Sequence, residues 1–462
     1  MPKKYNIPIK NVPPRNFPVG KFSTIEFRED CAGSCRNCVK KKCIYNIFDE
    51  NYSHMRSMKA PEYIYQCYSC FRCVQECTKG IFSRVINPEY SSLGDELWTP
   101  QVITITWRQA HTGAIPVSGA GYRGPFTGEG FDGIWTDMSE IVRPTRDGIH
   151  GREYINTSIE VSRRPQGLKF NKDMSLDGDL PPIVEIPLPI LFKQPDHGVL
   201  TDDVICSMAS AANQLGTMMI IDPDVITQAV SPYLKSLVPR LTRENHRNYQ
   251  TLIQDVPMVE LSYEKGIEKE FAELRKINPE LCICVSIPLE ANAVAIASEM
   301  AAFEVDTLHF YGTDQGKEKV TDNPRFLKDV IQDIHLELVD KALRQKVNLV
   351  FSGGIALSEH VTKSVICGAD GVVIGRSLLI AMECRLCYRC NKDIACPAKL
   401  EEVDPDFGSA RIINLMAAWR NQMLEMMGAM GIKEVRRLRG EMGRSMWFED
   451  LEKEIFGSIF KQ

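Results

Sequence analysis

No stretch of this chain is apolar enough to cross a membrane. Windows approaching about 18 residues are broken by charges or amides, and the most apolar one, 203–221, contains Asn213 and Gln214. The first 21 residues, MPKKYNIPIKNVPPRNFPVGK, lack the apolar core of a secretory signal. A cytoplasmic protein without a membrane span is expected. Positive charge is not in excess either: 55 Lys and Arg face 60 Asp and Glu, for a net charge of −5. That balance argues against nucleic acid or an anionic membrane as the main partner. Histidine is scarce, with eight in 462 residues, so few general bases of that type are available. Hydrophobic residues at 44% and charged residues at 25% exclude a disordered or fibrous chain. The length predicts two or three domains. What is abundant is cysteine, with 16 residues.

Twelve of the cysteines fall into three runs: Cys31, Cys35, Cys38 and Cys43; Cys67, Cys70, Cys73 and Cys77; and Cys384, Cys387, Cys390 and Cys396. Disulfides are rare in a reducing cytosol, so clustered cysteines there point to metal. Three thiolates spaced two residues apart on a tight loop reach three corners of an iron–sulfur cube, and a fourth from further along closes the site. The second run matches the bacterial ferredoxin spacing, with Thr78 where proline is usual. In two-cluster ferredoxins the fourth cysteine of each run serves the other cube. Cys31, Cys35, Cys38 and Cys77 are therefore expected to hold one [4Fe–4S] cluster, and Cys67, Cys70, Cys73 and Cys43 the other. Cys384, Cys387, Cys390 and Cys396 are expected to hold a third, as [4Fe–4S], or as [3Fe–4S] through three of the four. Zinc is the alternative, but zinc ribbons use paired knuckles rather than three cysteines in series. Cys206, Cys282, Cys284 and Cys367 lie in apolar surroundings and are expected to be small buried hydrophobes.

Residues 1–25 carry five prolines and read as an extended arm, and 26–90 as a ferredoxin-like module. Residues 91–180, rich in Gly, Pro and aromatics, read as loops and short strands wrapped on a larger body. Gly119, Gly121 and Gly124, and again Gly128, Gly130 and Gly133, spell G-x-G-x-x-G. Neither follows a strand and opens a helix, so both are read as turns. From 181 to 383 short apolar strands alternate with amphipathic helices. Strands are expected at 183–186, 217–221, 258–261, 282–287, 307–310, 347–351 and 372–374. Helices fit 202–215, 292–303 and 324–345. An eighth strand within 225–241 would close a TIM-type (β/α)8 barrel, and an open doubly wound sheet is the competing fold. Residues 384–462 read as the third cysteine loop followed by helices. The methionines from Met416 to Met430 are expected in the core. The basic run from Lys433 to Arg444 is interspersed with acids and reads as a solvated or subunit-facing helix rather than an RNA site.

Ser352-Gly353-Gly354-Ile355 follows one apolar strand, and Gly375-Arg376-Ser377 the next. In a barrel these are the loops after strands seven and eight, where phosphate commonly binds. Glycines admit the anion to backbone amides, a helix start adds positive potential, and Arg376 is placed for a bidentate contact. Flavin mononucleotide is the natural occupant, because iron–sulfur cubes pass single electrons and flavin passes one or two. The bland alternative is that these glycines only make tight turns. His309 and His111 are the histidines expected near the barrel mouth, and Asp306 and Tyr311 are expected at the strand end of His309.

Ser352-Gly-Gly, then Gly368-Ala-Asp370 to Gly375-Arg376, then a cysteine cluster ending in Cys396-Pro397, resemble the FMN-binding domain of the glutamate synthases. The likeness is closest to archaeal-type members with a ferredoxin module in front. It extends through Trp419 to Arg439, with Gly428-Ala-Met-Gly431 inside. The resemblance implies a (β/α)8 barrel with FMN on its top face, a cluster beside it, and reductive amination of 2-oxoglutarate through 2-iminoglutarate. The sequence departs from the family where substrate is bound. Gly216-Thr217-Met-Met-Ile-Ile-Asp222-Pro223 replaces a Gly-rich run, Leu261-Ser-Tyr-Glu-Lys-Gly266 replaces Q-G-A-K-P-G, and Tyr311-Gly312-Thr-Asp-Gln-Gly316 replaces D-G-x-x-G-G-T-G. Ser286 stands where the family has a lysine near the flavin N1, and Met1-Pro2-Lys3 supplies no glutaminase nucleophile. An electron-transfer subunit working with a partner oxidoreductase or a ferredoxin, in a stable complex or as a homo-oligomer, is therefore expected first. An ammonia-dependent glutamate synthase component and a scaffold with a retired barrel are the alternatives.

Overall fold

The computed structural model describes residues 6–16, 19–26, 70–115, 128–136, 154–163, 170–176, 182–303 and 305–460. Eight short apolar runs pair in parallel and close into a barrel. They are β1 (Ile190–Lys193), β2 (Met219–Ile221), β3 (Leu237–Leu241), β4 (Met258–Ser262), β5 (Cys282–Pro288), β6 (Thr307–Tyr311), β7 (Asn348–Ser352) and β8 (Gly371–Ile374). Closure is through Val372–Ile374 of β8, which pairs with Ile190–Phe192 of β1. The strands are buried almost throughout, as a parallel barrel coated by helices requires. The closed barrel settles the choice against an open sheet.

Nine helices matter to the argument. They are α1 (Pro100–Thr112), α2 (Asp202–Leu215), α3 (Gln250–Asp255), α4 (Phe271–Ile277), α5 (Ala293–Ala301), α6 (Leu327–Asp340), α7 (Ser358–Cys367), α8 (Arg376–Ala381) and α9 (Pro405–Ala429). Local chemistry sets their ends. Thr99 caps α1 with Pro100 in its first turn, and Gly113 closes it at φ 65°. Asp404 caps α9 by accepting from the Phe407 amide at 2.9 Å. Met416, Met423, Met426, Met427 and Met430 are all buried, so that stripe is core packing as expected.

One strand assignment needs correction, and the eighth strand lies where it was expected. The run at 183–186 is not the first barrel strand. Glu185–Ile186 pairs antiparallel with Ile159–Glu160 outside the barrel, Ile183 is exposed, and Pro187 and Pro189 separate the run from β1. The strand sought within 225–241 is β3, reached from β2 through 3-10 turns at Pro223–Val225 and Ser231–Ser236 rather than an α-helix. The run from Lys433 to Arg444 is likewise not a helix. It forms two 3-10 turns, Val435–Leu438 and Met442–Arg444, and Arg436 and Arg439 pair with Glu160 and Asp370.

The flanking segments pack on the barrel. Residues 155–163 cross its lower end, where Thr307 Oγ1 donates to the Val161 carbonyl at 2.5 Å and Asn348 Nδ2 to the Ser162 carbonyl at 2.6 Å. The arm at 6–16 lies without regular structure beside α1 and α9, held at Lys10 by Asn414 and at Arg15 and Asn16 by Glu383. Phe22–Glu26 pairs antiparallel with Phe82–Ile86, which brings together the two ends of the cysteine-rich module. Among the described residues no helix is long and apolar enough to cross a membrane.

Candidate functional site

A cavity of about 390 Å³ opens at the carboxyl ends of the strands. This is where (β/α)8 proteins place their chemistry, and the volume is in the range of small-ligand sites. Its walls include Lys193 at the end of β1, Arg240 of β3, Glu260 of β4, Ser286 of β5, His309 and Tyr311 of β6, and the loops after β7 and β8.

The floor is a hydrogen-bonded chain. His309 Nδ1 lies 2.7 Å from Glu260 Oε2, and His309 Nε2 lies 2.8 Å from Ser352 Oγ. Both Glu260 and His309 are 2% exposed at the side chain. Burial pushes the Glu260 carboxyl up. His309, helped by Lys193 and Arg240, outweighs it, so the carboxyl ends below the ordinary glutamate value. Lys193 and Arg240 have carboxylates of their own: Lys193 meets Asp196 at 2.9 Å and Arg240 meets Asp222 at 2.7 Å. The Cys284 thiol, 3.9 Å from Glu260, is driven up by burial and by that carboxylate.

The glycines of the two phosphate-type loops have separate reasons to be glycine. Gly353 and Gly354 have φ of 115° and 66°. A Cβ on Gly354 would stand 2.5 Å from Gly316 Cα, because this loop packs backbone to backbone on the loop after β6. A Cβ on Gly375 would meet the Lys193 carbonyl at 3.1 Å. Ser352, Gly353, Gly354, Gly375 and Arg376 all line the cavity. Ser377 does not, since its hydroxyl is buried and donates to the Ile355 carbonyl at 3.3 Å. The Arg376 guanidinium is engaged by two carboxylates, Asp95 at 3.4 Å and Asp314. What these loops offer a phosphate is therefore main-chain N–H, the donor that glycine exposes best. The lining offers main-chain N–H at the β7 and β8 loops and polar side chains at the floor, a combination that suits a phosphate-bearing ligand.

Immediately beyond α8 the third cysteine run wraps a second, smaller hollow lined by Cys384, Cys387, Cys390, Cys396, Gly198 and Tyr388. Glu383, Leu386, Tyr388, Asp393 and Lys399 all take left-handed backbone conformations there, with φ between 46° and 80°. Each costs about 1–2 kcal/mol for a residue with a Cβ, which the packing of this loop must offset. Such windings aim successive amides at an anionic centre, as around iron–sulfur groups. The Leu386 amide already points at Cys384 Sγ, at 3.5 Å. Burial pushes the Cys384 thiol up, and the neighbouring Cys396, Cys387 and Cys390 add to it, reaching about 12. Four thiolates on one zinc at about 2.3 Å would stand about 3.8 Å apart. Among the described residues no three cysteine sulfurs lie within 4.8 Å of one another. The four sulfurs are gathered on one loop without standing as closely as a single zinc would draw them.

The two hollows share a wall. His197 lines the barrel cavity and its neighbour Gly198 lines the cysteine hollow. The Tyr388 ring lies 5.5 Å from His197 and 5.7 Å from the Arg376 guanidinium carbon, and its hydroxyl donates to Asp95 at 2.8 Å.

Of the second cysteine run, Cys70 is exposed, Cys73 sits in the short helix Arg72–Glu76 and Cys77 caps it, with Phe71 between them at φ 57°. Cys31, Cys35, Cys38, Cys43 and Cys67 lie outside the described residues, as do Gly119, Gly121 and Gly124. No described cysteine is in a disulfide, and Cys206, Cys282, Cys284 and Cys367 are buried as expected. His111 ends α1 and lines no part of the cavity. Asp306 is at the opposite end of β6 from Tyr311, where it accepts from the Ile283 and Arg163 amides. Sequence reasoning missed Glu260, Lys193, Arg240, Asp196 and Trp98. A glutamate inside the otherwise apolar Met258-Val-Glu-Leu was the one available signal.

Residues 242–433, from the end of β3 through α9, match the family model described as the conserved region in glutamate synthase. The archaeal glutamate synthase [NADPH] of Archaeoglobus fulgidus is 25% identical over 94% of this chain and 96% of its own. The archaeal-type glutamate synthase [NADPH] of Dehalococcoides mccartyi is 23% identical over 92% and 95%. The chain is a distant homologue of the archaeal-type glutamate synthases. Among solved structures it is similar to the recombinant flavin-binding domain of baker's yeast flavocytochrome b2, with a TM-score of 0.42 at 14% identity over 77% of this chain and 80% of that one. The glycine loops and the third cysteine run on which the resemblance rests both lie at this site. Ser286 of β5 lines the cavity with its hydroxyl 3.4 Å from the Leu261 carbonyl, so no lysine rises from that strand.

Proposed function

We propose that this chain is an iron–sulfur flavoprotein oxidoreductase subunit, passing electrons between iron–sulfur clusters and FMN within a larger redox complex. The observation that carries the reading is the shared wall. A loop of four cysteines in series lies one residue from a cavity with glycine loops at the phosphate end of a barrel. Bound FMN supplies exchange of single electrons on one side and of pairs on the other. Gly353, Gly354 and Gly375 admit its phosphate to main-chain amides, Lys193 and Arg240 supply positive charge at the floor, and Trp98 and Tyr311 help exclude water. Cys384, Cys387, Cys390 and Cys396 hold the near cluster. The ferredoxin-like module, through Cys31, Cys35, Cys38 and Cys77 and through Cys67, Cys70, Cys73 and Cys43, holds two more and docks a redox partner.

Metal, sulfide and flavin analysis of anaerobically purified protein tests this. About twelve irons and one FMN per chain are expected. Iron without flavin would reduce the barrel to a relay or scaffold, and zinc in place of iron would overturn the reading. Homology over more than nine-tenths of the chain favours a second reading, ammonia-dependent synthesis of glutamate. Adding 2-oxoglutarate and ammonia to the reduced protein separates the two. Flavin reoxidation supports the synthase, and an unchanged spectrum supports the electron-transfer subunit.

A further inference from the structure

A carboxylate is an expensive group to place inside a barrel whose layers are normally branched and apolar. Glu260 is there, hydrogen-bonded to His309, while Lys193 and Arg240 are bound to Asp196 and Asp222. A buried ion pair would be complete at that point. Here the chain continues through His309 Nε2 to Ser352 Oγ, and Ser352 is part of the cavity wall. Among the described residues Ser352 Oγ has no other hydrogen-bond partner, so its remaining capacity faces the cavity.

The same heavy-atom positions accommodate two proton arrangements. In one, His309 carries both ring protons and donates to Glu260 and to Ser352, whose hydroxyl hydrogen points into the cavity. In the other, His309 keeps Nδ1–H toward Glu260, and Nε2 accepts from the Ser352 hydroxyl. The two differ by one proton delivered at Ser352 Oγ. The other charged or titratable groups facing this chain are Lys193 of β1, Arg240 of β3, Cys284 of β5 and Tyr311 of β6, whose ring lies 6.2 Å from that of His309. β8 contributes only Val373 and Ile374 to the cavity.

We propose that Glu260, His309 and Ser352 form a proton relay that delivers one proton to the cofactor in the cavity when electrons arrive there. The inference rests on the flavin reading. Two electrons come from the iron–sulfur clusters. His309 Nε2 passes its proton to Ser352 Oγ, and Ser352 passes its hydroxyl proton into the cavity. His309 is left neutral with Nδ1–H on Glu260 for as long as the cofactor stays reduced, and regains its proton along the same chain on reoxidation. Glu260 stays ionised and is a positioning residue, whereas Ser352, in the cavity wall, would be the group that meets the bound cofactor.

The test uses the whole flavin-loaded protein. Bulk proton uptake is followed with an indicator dye during anaerobic reduction of the flavin step. His309→Gln is expected to take about one more proton from the bulk per flavin than the parent, because the internal donor is gone. Ser352→Ala keeps the Glu260–His309 pair. It is expected to leave the count unchanged while slowing the step by about a hundredfold. Flavin bound normally with neither the count changed in His309→Gln nor the rate in Ser352→Ala would overturn the relay. Parent protein that binds no flavin sinks the flavin reading instead. The relay is then read by NMR of the histidine rings in the whole protein: a downfield Nδ1–H resonance lost in Glu260→Gln supports it, and spectra unaffected by Glu260→Gln and Ser352→Ala overturn it.

Discussion

Asp370→Asn probes the end of the barrel opposite the cavity. The Asp370 carboxylate, just below β8, accepts from Arg344 Nη2 at 2.7 Å, the Leu349 amide at 2.8 Å and Arg439 Nη1 at 2.7 Å. Arg344 is 3% exposed at its side chain and also donates to the Val347 carbonyl, the Gly368 carbonyl and His335 Nδ1. Asparagine matches the shape and keeps one acceptor oxygen but removes the counter-charge of two guanidiniums. Leaving a buried charge unpaired costs about 3–5 kcal/mol. Most of that falls on Arg344, because Arg439 retains Gln345 Oε1 at 3.0 Å. With a urea slope of about 3 kcal/mol per molar, the unfolding midpoint should fall by about 1 M or more. Arg439→Gln, which leaves the Arg344–Asp370 pair intact, should lose about a third as much. Urea unfolding followed by circular dichroism measures both. A loss below about 1 kcal/mol for Asp370→Asn, or equal losses for the two variants, would refute the assignment of Arg344 as the group that needs Asp370.

The same network predicts a response to acid. Burial, then Arg344 and Arg439, hold His335 down at about 4, below its ordinary value of 6.5. The unfolded chain therefore binds this proton first as pH falls. The stabilisation is complete above pH 6.5, is lost as pH falls toward 4, and amounts to at most about 3 kcal/mol before solvent screening reduces it. His335→Gln should flatten that part of the unfolding midpoint against pH, and a curve parallel to the parent would contradict it. Gly354→Ala should lower the flavin-to-protein ratio while the barrel still folds. It combines a φ of 66° with a Cβ 2.5 Å from Gly316 Cα, whereas Gly443→Ala, with nothing within 4 Å, should leave flavin content unchanged. Absorbance at the flavin band against protein concentration decides it.

The barrel was legible because strands buried on both faces read as continuous apolar runs, as Cys282–Pro288 and Asn348–Ser352 do. The misread strand shows the limit of that signal. Residues 183–186 are apolar too, but only the prolines at 187 and 189 reveal that the chain breaks and restarts before β1. That error hid Lys193, since a residue at the end of an unrecognised strand has no assigned direction. β3 was hard to place because its approach lacks the amphipathic helix that marks the other crossovers. The two phosphate-type loops were legible from glycine spacing, but the reason for Gly353 and Gly354 was not, because it lies in the backbone of Gly316, a neighbour only in space. Asp306 was placed at the wrong end of β6 for a geometric reason. Five residues of strand span about 17 Å, so two acidic or aromatic residues flanking one strand face opposite ends of a barrel.

Glu260 is the case from which most can be learned. Within Met258–Ser262 its neighbours predict burial, and burial of a carboxylate demands a cationic or donor partner from another strand. A sequence alone cannot name the partner, because β4, β6 and β7 meet only when the barrel closes. It can say that one exists, and that a histidine on a predicted strand end is a candidate. Once closure brings Glu260, His309 and Ser352 into line, the serine that sequence reasoning assigned to phosphate acquires a second role. Its backbone begins the glycine loop that can admit an anion, while its hydroxyl ends a chain that can carry a proton. The two roles use different atoms of one residue. Ser352→Ala should therefore spare the loop and remove only the hydroxyl link, whereas a substitution at Gly354 should disturb the loop and leave the link in place.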